Sequence, residues 1–294
     1  YDIVPTPANS VAYILTIKGL HGGHSGTDIH KGYANANKLM NRLLLTCTCQ
    51  FGLRIAQIEG GGLRNAIPRE SVAIVTVSKN DAAAFEKEIV QLTREIQHEY
   101  VVTEPTLSVV LEPTALPESV MEEEEQVDVL KALYAAFNGV YKMSQTIDGL
   151  VETSNNVARV QLKDGEINVY CLTRSASETS KFDLAETLRA AFELAGFEVD
   201  YTGSYPGWEP KVDAEILKIV KTQYETLFGD TPKVVACHAG LECGILGTHY
   251  PAMEMVSFGP TIKGAHSPAE RVNIASVQKF WKFLLAILKN IPVK

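Results

Sequence analysis

The feature that most constrains the fold is a strand–helix–strand succession that occurs twice. Ser71 to Val77 is β-branched and strand-like, Asp81 to Tyr100 reads as a helix, and Thr106 to Leu111 reads as a second strand. Asp81 stands near the helix start, where an acid suits the helix dipole. Glu166 to Thr173, Asp183 to Ala195 and Glu198 to Ser204 repeat the same pattern without a convincing sequence repeat. Two β-α-β units in order predict an antiparallel or mixed sheet with helices on one face, an α/β chain with α+β character.

The flanking segments extend this scheme. Residues 11–18 alternate toward strand. Gly19 to Gly26 breaks regular structure, and Asn35 to Leu45 predicts a helix with Leu39, Leu43 and Leu44 on one face. Phe51 to Glu59 reads as a strand, followed by Gly60-Gly61-Gly62 and a loop carrying Arg64 and Asn65. The acidic run Glu122 to Glu125 fits the solvated first turn of a helix that continues to about Phe137. Pro206-Gly207-Trp208-Glu209-Pro210 punctuates the chain and predicts a boundary between residues 10–207 and 208–294.

Beyond that boundary a helix is expected over Ala214 to Phe228, strands over Lys233 to Cys237 and Glu254 to Ser257, and a last helix from about Ser276. At roughly 85 residues this segment is small for an independent domain. It is expected to complete a sheet whose other strands are absent. The start at Tyr1 rather than Met fits a processed or truncated chain.

Composition narrows the function classes. Hydrophobic residues make up 46% and charged residues 21% of 294, as in a globular protein with a sizeable core. The net charge of -8 argues against general nucleic-acid binding, which wants a basic face. The apolar run Phe280 to Leu288 is short and broken by Lys282, so no membrane span is expected. Five cysteines, an odd number, are no disulfide framework and point to a reducing, cytoplasmic setting. Cys47 and Cys49 are expected to be buried structural residues.

Several residues could carry chemistry. His266, in Gly264-Ala265-His266-Ser267-Pro268, could offer a ring nitrogen to a cation. In His238-Ala239-Gly240-Leu241-Glu242-Cys243-Gly244, the glycines let backbone approach a ligand, and Glu242 would stand at the carboxyl end of a strand. Glu242 could equally cap the following turn, and Cys243 lacks an orienting third group for a nucleophile. His24, in Gly22-Gly23-His24-Ser25-Gly26, exposes an imidazole able to polarise a carbonyl or stabilise an oxyanion. A metal pair of His21 and His24 is disfavoured by the flanking glycines. Asn65 could donate to substrate or form an Asx turn before proline. Arg174, after a strand, suits bidentate capture of a carboxylate or a surface ion pair.

Together, GLHGGHSG, RNAIP, VETSNN, HAGLECG and SFGPTIKGAHSPAERV resemble blocks of the M20 metallopeptidases, and most of all of the aminoacyl-histidine dipeptidases among them. The resemblance covers essentially the whole chain. It implies a catalytic domain holding two bridged divalent metals, usually zinc, and an inserted lid that closes over a dipeptide substrate. Residues 10–207 would be that lid and 208–294 the C-terminal part of the catalytic domain. His266 would be a metal ligand and His24 the lid histidine that stabilises the tetrahedral intermediate. Asn65 and Arg174 would grip substrate, Arg174 by its carboxylate, with Gly240 and Glu242 bordering the pocket.

The family's His-x-Asp motif, bridging aspartate, catalytic glutamates and further acidic ligand have no counterpart in the sequence. Ser175-Ala176, where relatives often show paired serines, is a smaller departure. The expectation is therefore a fragment of an Xaa-His dipeptidase, inactive by itself, with an incomplete metal site and a homodimer as a natural assembly. The alternatives are another M20 activity, such as an aminoacylase or tripeptidase, and a non-catalytic binding or dimerisation module.

Overall fold

The structure, a computed structural model, describes residues 1–236, 242–263 and 270–291. Tyr1–Ser204 form one compact unit, and Tyr205–Ala236 with the described residues from Glu242 onward form another.

The first unit begins with β1 (Ile3–Pro5) and β2 (Ser10–Lys18), then α1 (Ala36–Phe51), β3 (Arg54–Gly61) and β4 (Ser71–Ser78). It continues through α2 (Ala82–Glu99), β5 (Ser108–Thr114), β6 (Ser119–Met121), α3 (Glu123–Ala135) and β7 (Gly139–Met143), and ends with β8 (Val151–Lys163), β9 (Glu166–Ser175) and α4 (Glu178–Glu193). Its main sheet is seven-stranded and runs β5-β2-β4-β3-β8-β7, with β9 also on β8. Every pairing is antiparallel. β4 and β5 are each antiparallel to β2, so they run parallel to one another with β2 between them. The β4-α2-β5 unit is thus a split crossover rather than a pair of adjacent strands.

The sheet's inner face follows from period-two alternation. Tyr13 opposes Val75 and Leu15 opposes Ala73 across β2 and β4, all buried. On that face α1, α2, α3 and α4 bring Leu43, Phe85, Leu130 and Leu188 into a single core. Phe85 is fully buried against Tyr13, with ring centroids 5.4 Å apart. Truncating such a phenylalanine to alanine costs about 3–5 kcal/mol.

The helix ends explain where the elements start. Asn35 caps α1 by accepting the N–H groups of Asn37 (3.0 Å) and Lys38 (3.2 Å), and Gly52, at φ 60°, closes the helix in the left-handed region. The capping oxygen replaces a hydrogen bond that helix geometry cannot supply. The acidic run does form a first turn. Glu122 is the cap and accepts from Glu124 N–H at 2.7 Å, while Glu123 to Glu125 open α3.

The second expected β-α-β unit is corrected. β9 forms a hairpin with β8 through Asp164 (φ 53°) and Gly165 (φ 84°), α4 starts at Glu178, and residues 198–204 form no strand. The expected unit lacked β8, whose middle is the polar run Ser154-Asn155-Asn156. Those side chains are buried, which hides the strand from any apolar pattern. The Asp-Gly pair between two strands was the readable signal, since both residues tolerate the positive φ of a tight hairpin. Cys49 is also corrected. Cys47 is buried as expected, but Cys49 is exposed at the solvent side of α1.

The second unit holds α5 (Glu215–Phe228), α6 (Glu242–His249), a short pair of strands β10 (Ile262–Lys263) and β11 (Arg271–Val272), and α7 (Ile274–Asn290). Val220, Phe283 and Ile287 form its core, with the rings of Tyr224 and Phe283 5.4 Å apart. The strands expected at 233–236 and 254–257 are not formed, and Cys237 lies outside the described residues. A strand needs a neighbour for its N–H and C=O groups, and among the described residues β10 and β11 are the unit's paired strands. No helix among the described residues is long and apolar enough to cross a membrane.

Candidate substrate-binding and oxyanion site

The glycine loop before α1 builds the site. Gly22 (φ 71°) and Gly23 (φ 122°) adopt conformations that side chains resist. A Cβ on Gly23 would stand 2.9 Å from the Asp28 carboxylate. This close approach lets the His24 N–H donate to Asp28 Oδ2 at 2.7 Å, while the Asp28 N–H returns to the His24 carbonyl at 3.0 Å. Lys31 pairs with Asp28 Oδ1 at 2.6 Å. Burial alone would raise the Asp28 pKa. The Lys31 hydrogen bond, the His24 N–H and the nearby positive charge outweigh it and hold the carboxyl below its ordinary value.

The loop is stitched to the Arg64–Pro68 segment. His24 and Ala66 form an antiparallel bridge. Ile67 N–H donates to the Gly23 carbonyl at 2.9 Å, and Ser25 N–H to the Asn65 carbonyl at 2.8 Å. His24 is therefore fixed by backbone contacts on both sides.

Its ring is oriented as well. Nδ1 accepts the N–H groups of Gly26 and Thr27, both at 3.1 Å. An accepting Nδ1 assigns the neutral proton to Nε2. His24 is half-buried.

Arg174 arrives from the end of β9, opposite Ser154 on β8. Its Nε donates to Ser25 Oγ at 3.4 Å, and Ser25 is buried. A Cβ on Gly26 would meet the His24 ring at 3.1 Å and Arg174 Cδ at 3.5 Å. His24 and Arg174 thus flank Gly26, where even a methyl group would press on the imidazole. Asn65 sits exposed in the turn that accepts from Ser25. This places His24, Asn65 and Arg174 on adjoining segments of one unit. At the Ser175-Ala176 departure, Ser175 bonds Thr153 at 2.8 Å and Ala176 is buried, so the pair serves the strand end.

The other expected residues belong to the second unit or lie outside the described residues. Glu242 is the exposed first residue of α6 in the second unit. That is where a carboxylate favours a helix N-terminus. Gly240 and His266 lie outside the described residues. Among the described residues, no group of three or more His, Cys, Asp or Glu side chains could hold a metal ion. The described donor set does not fit the metal pair the resemblance implies. His21 instead stacks on Tyr33, centroids 4.2 Å apart, while its N–H donates to the buried Glu104 at 2.6 Å. Burial and then the Glu242 charge push the Cys243 thiol up, against a nucleophilic role.

Two positioning residues escaped the sequence reading. Asp28 could have been suspected from its place four residues after His24. Asn156 donates to the carbonyls of Arg64 (3.2 Å) and Ala66 (2.8 Å), which sets the Asn65 turn. It ends the VETSNN block, but its polar neighbours there do not single it out as the residue that sets the turn.

Comparison with known proteins bears on the fold and on the chain as a whole. Residues 13–104 match the M20 peptidase dimerisation domain. The chain is 40% identical over its whole length to the cytosol non-specific dipeptidase of Escherichia coli (strain K12). It also matches the crystal structure of aminoacylhistidine dipeptidase from Vibrio alginolyticus at 40% identity and a TM-score of 0.92. In both cases the whole of this chain corresponds to 60% of the relative. These likenesses relate the chain to the M20 peptidases: residues 13–104 match their dimerisation domain, and the whole chain aligns with 60% of two dipeptidases.

Proposed function

We propose that this chain supplies the substrate-gripping lid and the C-terminal segment of a dipeptidase, residues 10–207 and 208–294, acting on Xaa-His dipeptides. The observation that carries the reading is the convergence of His24 and Arg174 on Gly26. A dipeptide has one free carboxylate and one scissile carbonyl, close together. Arg174 is suited to the carboxylate through charge-assisted hydrogen bonds. His24 Nε2–H is suited to the oxygen on which charge develops during attack, and a preoriented donor there needs no reorganisation. The Asn65 amide adds a further donor.

The metal chemistry, two divalent ions and zinc by choice, would be completed by residues beyond those described, with His266 as one ligand and Gly240 and Glu242 bordering the pocket. The steps that the described residues perform are binding, orientation and oxyanion stabilisation. The matched dimerisation domain supports a homodimer, and the name of the E. coli relative supports a cytoplasmic setting.

A broader dipeptide range is the second reading, favoured because the E. coli relative is named a non-specific dipeptidase at the same 40% identity. A hybrid tests both. This chain would replace the matching 60% of the E. coli relative and be assayed with zinc or manganese on a dipeptide panel. Preference for a C-terminal histidine supports the first reading, and even rates across the panel support the second. A soluble, metal-loaded hybrid with no dipeptidase activity would contradict both.

A further inference from the structure

Under α1 the first unit encloses a small cavity with about 10 Å³ of room for the centre of a water molecule. Asn37 and Asn41 of α1 and Ser71 of β4 line it, together with apolar side chains including Met40, Leu44 and Ile58. All of these residues are buried, Asn37, Asn41 and Ser71 to 4%, 3% and 1% exposure. Asn37 Oδ1, Asn41 Oδ1 and Ser71 Oγ each lack a hydrogen-bond partner. Leaving a buried polar atom unpaired costs about 1–3 kcal/mol, so three around one cavity demand an occupant.

The orientation of each amide is fixed from its other end. Asn37 Nδ2 donates to the Val157 carbonyl at 3.2 Å, and Asn41 Nδ2 to the Leu130 carbonyl at 2.9 Å. Both amide oxygens are therefore committed as acceptors. Ser71 brings a hydroxyl that can donate. A Cβ on Gly60 would fall 2.0 Å from Asn37 Oδ1 and 2.5 Å from Ser71 Oγ, so both polar atoms crowd the same stretch of β3.

We propose that this cavity is the binding site of one structural water molecule. The water would donate its two protons to Asn37 Oδ1 and Asn41 Oδ1 and accept the Ser71 hydroxyl proton. This pairs all three atoms and gives the water three of its four possible hydrogen bonds, as is usual for a buried water, and the room matches the lower bound for a single water, about 10–15 Å³. A metal cation fits less well, because the set holds no carboxylate and too few oxygens. The water would join α1 to β4 across β3. Asn37 and Asn35 both bond the Val157 carbonyl next to Asn156, so the site belongs to the polar core that supports the Asn65 turn.

A crystal structure of the protein at high resolution, with the Asn41→Leu variant beside it, tests the site. A single peak about 2.6–3.2 Å from all three atoms, lost in the variant, is the expected result. An empty cavity, a direct contact closing Asn37 onto Ser71, or a peak with the short many-oxygen coordination of a cation would overturn it. In solution, the same water is expected to give a long-lived cross-relaxation signal at the amide protons of Gly60 and Ser71. Absence of that signal in a folded sample would count equally against it.

Discussion

Asn156, fully buried in the middle of β8, donates its side-chain amide to the Ala66 carbonyl at 2.8 Å. The same amide reaches Arg64 at 3.2 Å, so one polar side chain inside the sheet sets the turn that presents Asn65. Asn35 Nδ2 bonds Asn156 Oδ1 in turn, at 3.3 Å, which ties the turn to the cap of α1. The proposed binding surface rests on a buried polar network rather than on apolar packing alone, and such a network is rigid only when every member is satisfied.

Asn156→Ala should therefore loosen the turn before it unfolds the domain. The expected loss is about 1–3 kcal/mol, since two part-buried carbonyls and the buried Asn35 amide each lose a partner. Denaturant unfolding measures that loss. Hydrogen exchange should quicken at Ser25 and Ile67, whose N–H groups close the same stitch, while β2 and β4 keep their protection. Uniform protection loss across the sheet would contradict a local role.

The His24 tautomer is open to direct observation. At neutral pH, nitrogen NMR of the imidazole is expected to show an unprotonated Nδ1 and a protonated Nε2, because Nδ1 accepts from Gly26 and Thr27. Gly26→Ala should move those resonances, since its new Cβ would stand 3.1 Å from the ring. A proton on Nδ1 in the wild type would contradict this tautomer.

Acid should release the loop. The Asp28 carboxyl titrates below its ordinary value when folded, so its stabilising contribution is complete above the unfolded value near 3.8 and disappears as pH falls through the folded one. Asp28→Asn should cost more stability at pH 7 than at pH 3, and urea unfolding at the two pH values measures the difference. An equal cost at both would place the effect in packing rather than charge.

Cys47 and Cys49 separate by reactivity. Burial first, and the Glu88 charge second, push the Cys47 thiol up to about 12, so at pH 8 only about one molecule in ten thousand carries the thiolate. Cys49 is exposed. Alkylation of the native protein followed by mass spectrometry should label Cys49 and spare Cys47 until denaturant is added.

Much of this was legible in the sequence, for physical reasons. β2, β4, α1 and α2 follow apolar periodicity, and Gly22-Gly23 announced a loop that only glycine conformations allow. β8 was not legible, because its burial is satisfied by Asn35, Asn138 and Phe137 partners distant in sequence rather than by apolar side chains. The strand expected at residues 198–204 failed for the opposite reason. It has the composition of a strand but pairs with none of the sheet's strands. His24, Asn65 and Arg174 could be named from local motifs, whereas their arrangement around Gly26 and Ser25 depends on how the β8–β9 hairpin joins the rest of the sheet, which local motifs do not encode.

The most direct test of the account is a comparison of kcat and KM for a C-terminal-histidine dipeptide, using the hybrid enzyme with and without His24→Ala and Arg174→Ala. Loss of one oxyanion donor should lower kcat by about 10²–10³-fold with little change in KM. Loss of Arg174 should act chiefly on KM. A His24→Ala enzyme that keeps its kcat would contradict the placement of His24 at the developing oxyanion.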